Sequence, residues 1–232
     1  MRKDKFYENS YLFLALGIVV VVFGFSNSYF SRLNEMSFAY HLHGISASFW
    51  MLMLVVQPYL YKIDKIITHK LLGWISLLLV PLIVIGGLIM MKFMVHGQQN
   101  YPPNTVYQLA FIDVCTLLGF VVVYSLAIYF RKNIRLHARF LVCTIFGPLI
   151  PALTRVFFVM HLADNFNASL TYSYVLVELV LLFIIWRERK MKEVNFTYVP
   201  YLVFIIVQHL LMYFSSQWDW WISTMNYLTG FS

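Results

Sequence analysis

Seven apolar runs, each close to the roughly 20 residues a helix needs to cross the hydrocarbon core of a bilayer, follow one another along this chain with short polar breaks between them. Within lipid a spanning segment must satisfy its own backbone hydrogen bonds, so runs of this length read as helices. They lie at Tyr11 to Phe30, Tyr40 to Tyr61, Leu71 to Phe93, Val106 to Phe130, Phe140 to Leu162, Leu170 to Trp186 and Tyr198 to Phe214. Hydrophobic residues make up 61% of the chain and charged residues 12%, outside the range of soluble domains. The expected fold is all-α: a seven-helix transmembrane bundle occupying residues 1–232 as a single domain, with no linker or low-complexity tract. The first run is too long for a secretory signal peptide and lacks a cleavage site, so a retained helix is expected.

Cations alternate from side to side along this map. Arg2, Lys3 and Lys5 precede the first run; Lys62, Lys65 and Lys70 separate the second from the third; Arg131, Lys132, Arg135 and Arg139 separate the fourth from the fifth; Arg187, Arg189, Lys190 and Lys192 separate the sixth from the seventh. The breaks between these are poor in Lys and Arg. The positive-inside rule then predicts a multi-pass protein of the plasma (inner) membrane with its N-terminus in the cytoplasm and its C-terminus outside. The formal charge of +7 reads as topology, and no nucleic-acid partner is expected. Residues 217–232, with Trp218, Trp220 and Trp221, are expected to lie on the outer face as an interfacial segment. Cys115 and Cys143 fall inside apolar runs on separate helices and read as packing residues.

Two hairpins resemble one another. The second run ends in Tyr61-Lys62 and leads to His69 at the start of the third; the fourth ends in Tyr129-Phe130-Arg131-Lys132 and leads to His137 at the start of the fifth. This suggests a duplicated unit, helices two–three and four–five.

Strongly polar side chains inside such runs are costly and usually mark a ligand, ion or proton site. Asp113 and Glu178 lie about 12 Å below the outer ends of their predicted helices, Arg155 about two turns down its own, and His209 at a similar depth. His41 and His43 open the second helix. Asp113, Arg155 and Glu178 are candidate catalytic or proton-relaying groups, and His41, His43 and His209 candidate metal ligands, for zinc or iron, in one outer-half layer holding a small-molecule or lipid ligand. His43, Trp50 and Gln57 share a stripe, Tyr174 neighbours Glu178, Tyr213 neighbours His209, and Pro148 and Pro151 below Arg155 can kink their helix and open room. The structural alternative is that Arg155 pairs with Asp113 or Glu178 only to make its charge tolerable. A second, cytoplasmic layer holds His69 and His137, which read either as interfacial histidines near lipid phosphates or as an axial pair for a low-spin haem b.

The stretch from His41-Leu42-His43-Gly44 through Trp50, Gln57, Tyr61 and His69-Lys70-Leu71-Leu72-Gly73, with His137-Ala138-Arg139-Phe140 and Pro151-Ala152-Leu153-Thr154-Arg155, resembles a family of bacterial multi-pass membrane proteins of unknown function. More distantly, the order of His41 or His43, Tyr61-Lys62 and His69, with His137 as partner, is similar to diheme transmembrane cytochromes b that pass electrons from ascorbate across a membrane. That resemblance implies an inner haem between His69 and His137. It departs from the family at Asp113, where a further histidine would stand, so an outer haem would need a ligand such as His209. Ser37 and His41 match the spacing found in zinc-dependent membrane hydrolases such as alkaline ceramidases, whose final histidine pair is reduced here to His209. A retinal protein is excluded, because no lysine follows Lys192. The functional expectation is a haem electron-transfer protein of the membrane. The alternatives are a metal-dependent intramembrane hydrolase or other lipid-modifying enzyme, and a small-molecule sensor or proton-coupled carrier.

Overall fold

The computed structural model describes Tyr7 and residues 9–230. Arg2, Lys3 and Lys5, and the last two residues of the tail, lie outside them. The described residues form helices with no strand: α1 (Ser10–Phe25), α2 (Phe38–Lys62), α3 (Ile66–His96), α4 (Thr105–Tyr129), α5 (Ile134–Cys143), α6 (Phe146–Val159), α7 (Phe166–Glu188), α8 (Lys192–Phe196), α9 (Tyr198–Ser215) and α10 (Asp219–Thr229).

Six stretches are long and apolar enough to cross a membrane: α2, α3, α4, α5 with α6, α7, and α8 with α9. The first predicted span falls short of that length. α1 ends at Phe25, giving 16 residues and a rise of about 24 Å, because Ser26, Asn27 and Ser28 begin a turn in place of another helical turn. The fifth predicted span is likewise divided at Thr144–Ile145. Pro148 has no N–H to offer the Thr144 carbonyl, and it is tolerated in the first turn of α6, where amides lack helical partners anyway.

The chain forms two compact units, one built from residues up to Ile85 with Ile145–Ser173, the other from Gly86–Thr144 with Tyr174 onward. In the first, α1 lies against α6 through glycines on one face. A Cβ on Gly17 would stand 2.6 Å from the Ile145 side chain, and one on Gly24 would run into the backbone of Ala152, within 2.9 Å of its Cα. Close backbone approach of this kind holds membrane helices together where no hydrophobic force distinguishes protein from lipid. α2 joins α1 through Lys62 Nζ, which donates to Asn9 Oδ1 at 2.9 Å, and through the edge-to-face rings of Tyr11 and Tyr59.

In the second unit Asn133 caps α5, its side-chain oxygen accepting from the amides of Arg135 and Leu136 at 3.2 and 3.3 Å. The aromatic tail folds as α10 and is tied to the start of α4. Trp221 Nε1 donates to the Tyr107 carbonyl at 2.9 Å, and the Tyr107 hydroxyl lies 2.9 Å from Asn226 Oδ1. Trp220 stays exposed while Trp221 and Met225 are buried, so one face of α10 packs on protein and the other is exposed.

Candidate functional site: an acid–imidazole pair between α7 and α9

α7 and α9 each carry one strongly polar residue within an apolar stretch, and the fold brings the two together. His209 Nδ1 lies 2.8 Å from Glu178 Oε1. The side chains are only 12% and 18% exposed, so little solvent competes for the bond. Glu178 stands about 18 Å from the start of α7 and about 15 Å from its end, which places it near the middle of that helix.

The imidazole has a tyrosine against one face and another at its Nε2 edge. Tyr174, one turn before Glu178 and fully buried, stacks on the His209 ring at 4.7 Å and 16°. Tyr213, one turn beyond His209, places its hydroxyl 3.4 Å from Nε2. With Nδ1–H donating to the carboxylate, Nε2 is placed to accept from the Tyr213 O–H. With a neutral imidazole the pair is net negative; one added proton makes it net neutral. The arrangement can therefore take up, hold and hand on a single proton along Glu178, His209 and Tyr213.

Two further features adjoin it. Gln208, 1% exposed, donates from Nε2 to the Ile112 carbonyl and to Thr116 Oγ1, both at 3.0 Å, fixing α9 to α4. Its Oε1 and the Tyr174 hydroxyl are buried without a hydrogen-bond partner among the described residues. A buried polar atom left so costs free energy comparable to a lost hydrogen bond, and bound water or ligand commonly supplies what is missing. Asp113 is half-buried on α4.

The remaining sequence candidates have their own local contacts. In the first unit His41 Nδ1 lies 3.2 Å from the Tyr29 hydroxyl, beside an open groove of about 470 Å3. His43 Nδ1 bonds the Ile83 carbonyl at 3.1 Å, and Arg155 donates to the Pro151 carbonyl at 2.8 Å with its guanidinium 4.5 Å from the Phe25 ring centre. His69 Nδ1 lies 3.3 Å from the Gln57 carbonyl; in the second unit His137 Nδ1 lies 2.8 Å from the Ala127 carbonyl. Each thus bonds back to the helix before it. Among the described residues no group of three or more His, Cys, Asp or Glu is arranged to hold a metal ion.

Sequence reasoning missed a buried ion pair. Arg139, 1% exposed, meets Glu188, 7% exposed, with Nε and Nη2 at 2.7 and 2.6 Å from Oε2. Its place between the fourth and fifth runs groups Arg139 with the loop cations, yet it shares the buried face of α5 with Phe140 and Cys143, and that register is the available signal.

No family model, curated protein or solved structure matches the chain. The functional reading rests on the residues themselves.

Proposed function

We propose that this integral membrane protein uses Glu178 and His209 as an intramembrane proton-transfer site while it handles a small molecule, as a proton-coupled carrier or redox protein does. The observation that carries the reading is the 2.8 Å carboxylate–imidazole bond, clamped by Tyr174, inside helices of spanning length. Membrane proteins keep such groups, despite their cost, chiefly along ion, proton and substrate paths. In this reading α1 is a seventh crossing, supported by its glycine-mediated packing on α6, and the basic loops hold the N-terminus in the cytoplasm of a plasma-membrane protein. Proteoliposomes loaded with a pH-sensitive dye and given an acid pulse test it. Wild-type protein is expected to pass protons faster than empty liposomes, and Glu178→Gln and His209→Gln to lose that increment equally, by about tenfold or more. Rates that are the same in wild type and both variants would refute it.

A second reading is that His69 and His137 each serve as a haem b ligand, supported within each unit separately by one observation: Nδ1 lies against a carbonyl of the preceding helix, which makes Nε2 the ligating nitrogen. Equivalent anchoring in two hairpins also fits the proposed duplication. Sharp low-spin bands in a reduced-minus-oxidised spectrum, lost in His69→Ala and in His137→Ala, would establish it; a featureless spectrum after expression with added haem would end it.

A further inference from the structure

The end of the second unit where α4 and α7 terminate carries an unusual concentration of positive charge. Arg131 and Lys132 in the α4–α5 turn, and Arg187, Arg189, Lys190 and Lys192 around the α7–α8 turn, are all exposed. The two acids in these segments do not offset them. Glu188 is buried against Arg139, and Glu193 lies 3.5 Å from Arg135. These same two ion pairs run between the turns, one from α5 to the end of α7 and one from α5 to α8, so both turns belong to a single surface. Phe130, Phe140 and Phe196 form a ring cluster with centroids 5.7 to 6.2 Å apart, which joins the end of α4 to α5 and α8.

We infer that this surface is a binding site for the headgroups of anionic phospholipids. Topology asks only for an excess of cations on one side; it does not require that they be gathered on a braced surface whose carboxylates are engaged elsewhere. The cations stand at the ends of spanning helices, level with Trp186, whose ring lies 5.2 Å from the Arg189 guanidinium. Interfacial tryptophan sits at headgroup depth, so the charges meet lipid phosphates before any soluble anion. Arg forks suit phosphate oxygens, and the Lys side chains add mobile charge around them.

Native mass spectrometry of the detergent-purified full chain, offered phosphatidylglycerol or phosphatidylcholine of the same acyl composition, reads this directly. The wild type is expected to retain phosphatidylglycerol preferentially, and to lose the preference as ionic strength rises. Each cation gathered on this surface contributes about a fivefold factor, so Arg131→Gln/Lys132→Gln and Arg187→Gln/Arg189→Gln should each reduce the preference by about tenfold or more. Lys65→Gln/Lys70→Gln, in a different basic turn, should leave it within about twofold. Thermal midpoints in neutral detergent identify any variant that has lost its fold, and the other double variant then decides. No preference in the wild type, or an equal fall in the Lys65/Lys70 variant, would overturn the inference.

Discussion

Glu188→Gln removes one charge from the Arg139 pair while keeping the side chain's shape, and its cost follows from the burial of both partners. Arg139 is 1% exposed, so the guanidinium cannot turn to water when its carboxylate is neutralised. Its Nη1 keeps the Arg135 carbonyl at 3.0 Å, a neutral acceptor that offsets little of the charge. Breaking a buried pair from one side costs about 3–5 kcal/mol. At about 2–4 °C per kcal/mol for a chain of this size, the thermal midpoint should fall by roughly 6–20 °C. Arg139→Met should cost a similar amount, leaving the carboxylate buried alone. The double variant Arg139→Met/Glu188→Leu buries no charge at all. Because Glu188 Oε1 has no hydrogen-bond partner among the described residues, the native pair does not recover its full desolvation cost. The double variant should therefore be markedly milder than either single variant, within about 2 kcal/mol of wild type. Tryptophan fluorescence during heating in detergent measures all three. Single variants that melt within about 2 °C of wild type, or a double variant as damaging as the singles combined, would refute the reasoning.

Three other outcomes follow from local geometry. Gly24→Val places branched carbons where the Ala152 backbone stands, so α1 must separate from α6, at about 1–3 kcal/mol or more; cysteine cross-linking between the two helices should fall with the thermal midpoint. Asn133→Ala removes the α5 cap and should cost about 0.5–2 kcal/mol, with the earliest rise in amide exchange confined to Arg135 and Leu136. Trp221→Phe deletes the donor to the Tyr107 carbonyl and should release α10 to proteolysis within Asp219–Thr229 while the spanning helices stay protected; cleavage that is unchanged would mean the hydrogen bond does not hold the tail.

Helix positions were legible because lipid imposes length and hydropathy on every crossing, and six of the seven expected runs coincide with stretches of spanning length. Boundaries were less so. Ser26, Asn27 and Ser28 ended α1 before Phe30, and Pro148 split the fifth run, signals that hydropathy alone passes over. Partners were the least legible part. Periodicity says which face of a helix His209 occupies, but not that Glu178 on another helix meets that face, since nothing local couples the two. Other polar residues of the apolar runs also bond groups that no motif marks: His43 a carbonyl of α3, His41 the Tyr29 hydroxyl, and Arg155, among its contacts, a carbonyl of its own helix and an aromatic ring. Backbone carbonyls and phenols are unmarked in any motif, and in lipid they are the partners nearest to hand.

The Glu178–His209 pair is tested most directly by pH-difference infrared spectroscopy of the membrane-reconstituted protein, in which protonation of one buried carboxylate or imidazole gives a resolved band. The account predicts a reversible one-proton signal assigned by its loss in Glu178→Gln, and altered in the same pH range in His209→Gln because the two groups share the proton. A spectrum in which neither substitution changes any pH-dependent band would contradict it, leaving the 2.8 Å bond a static contact between α7 and α9.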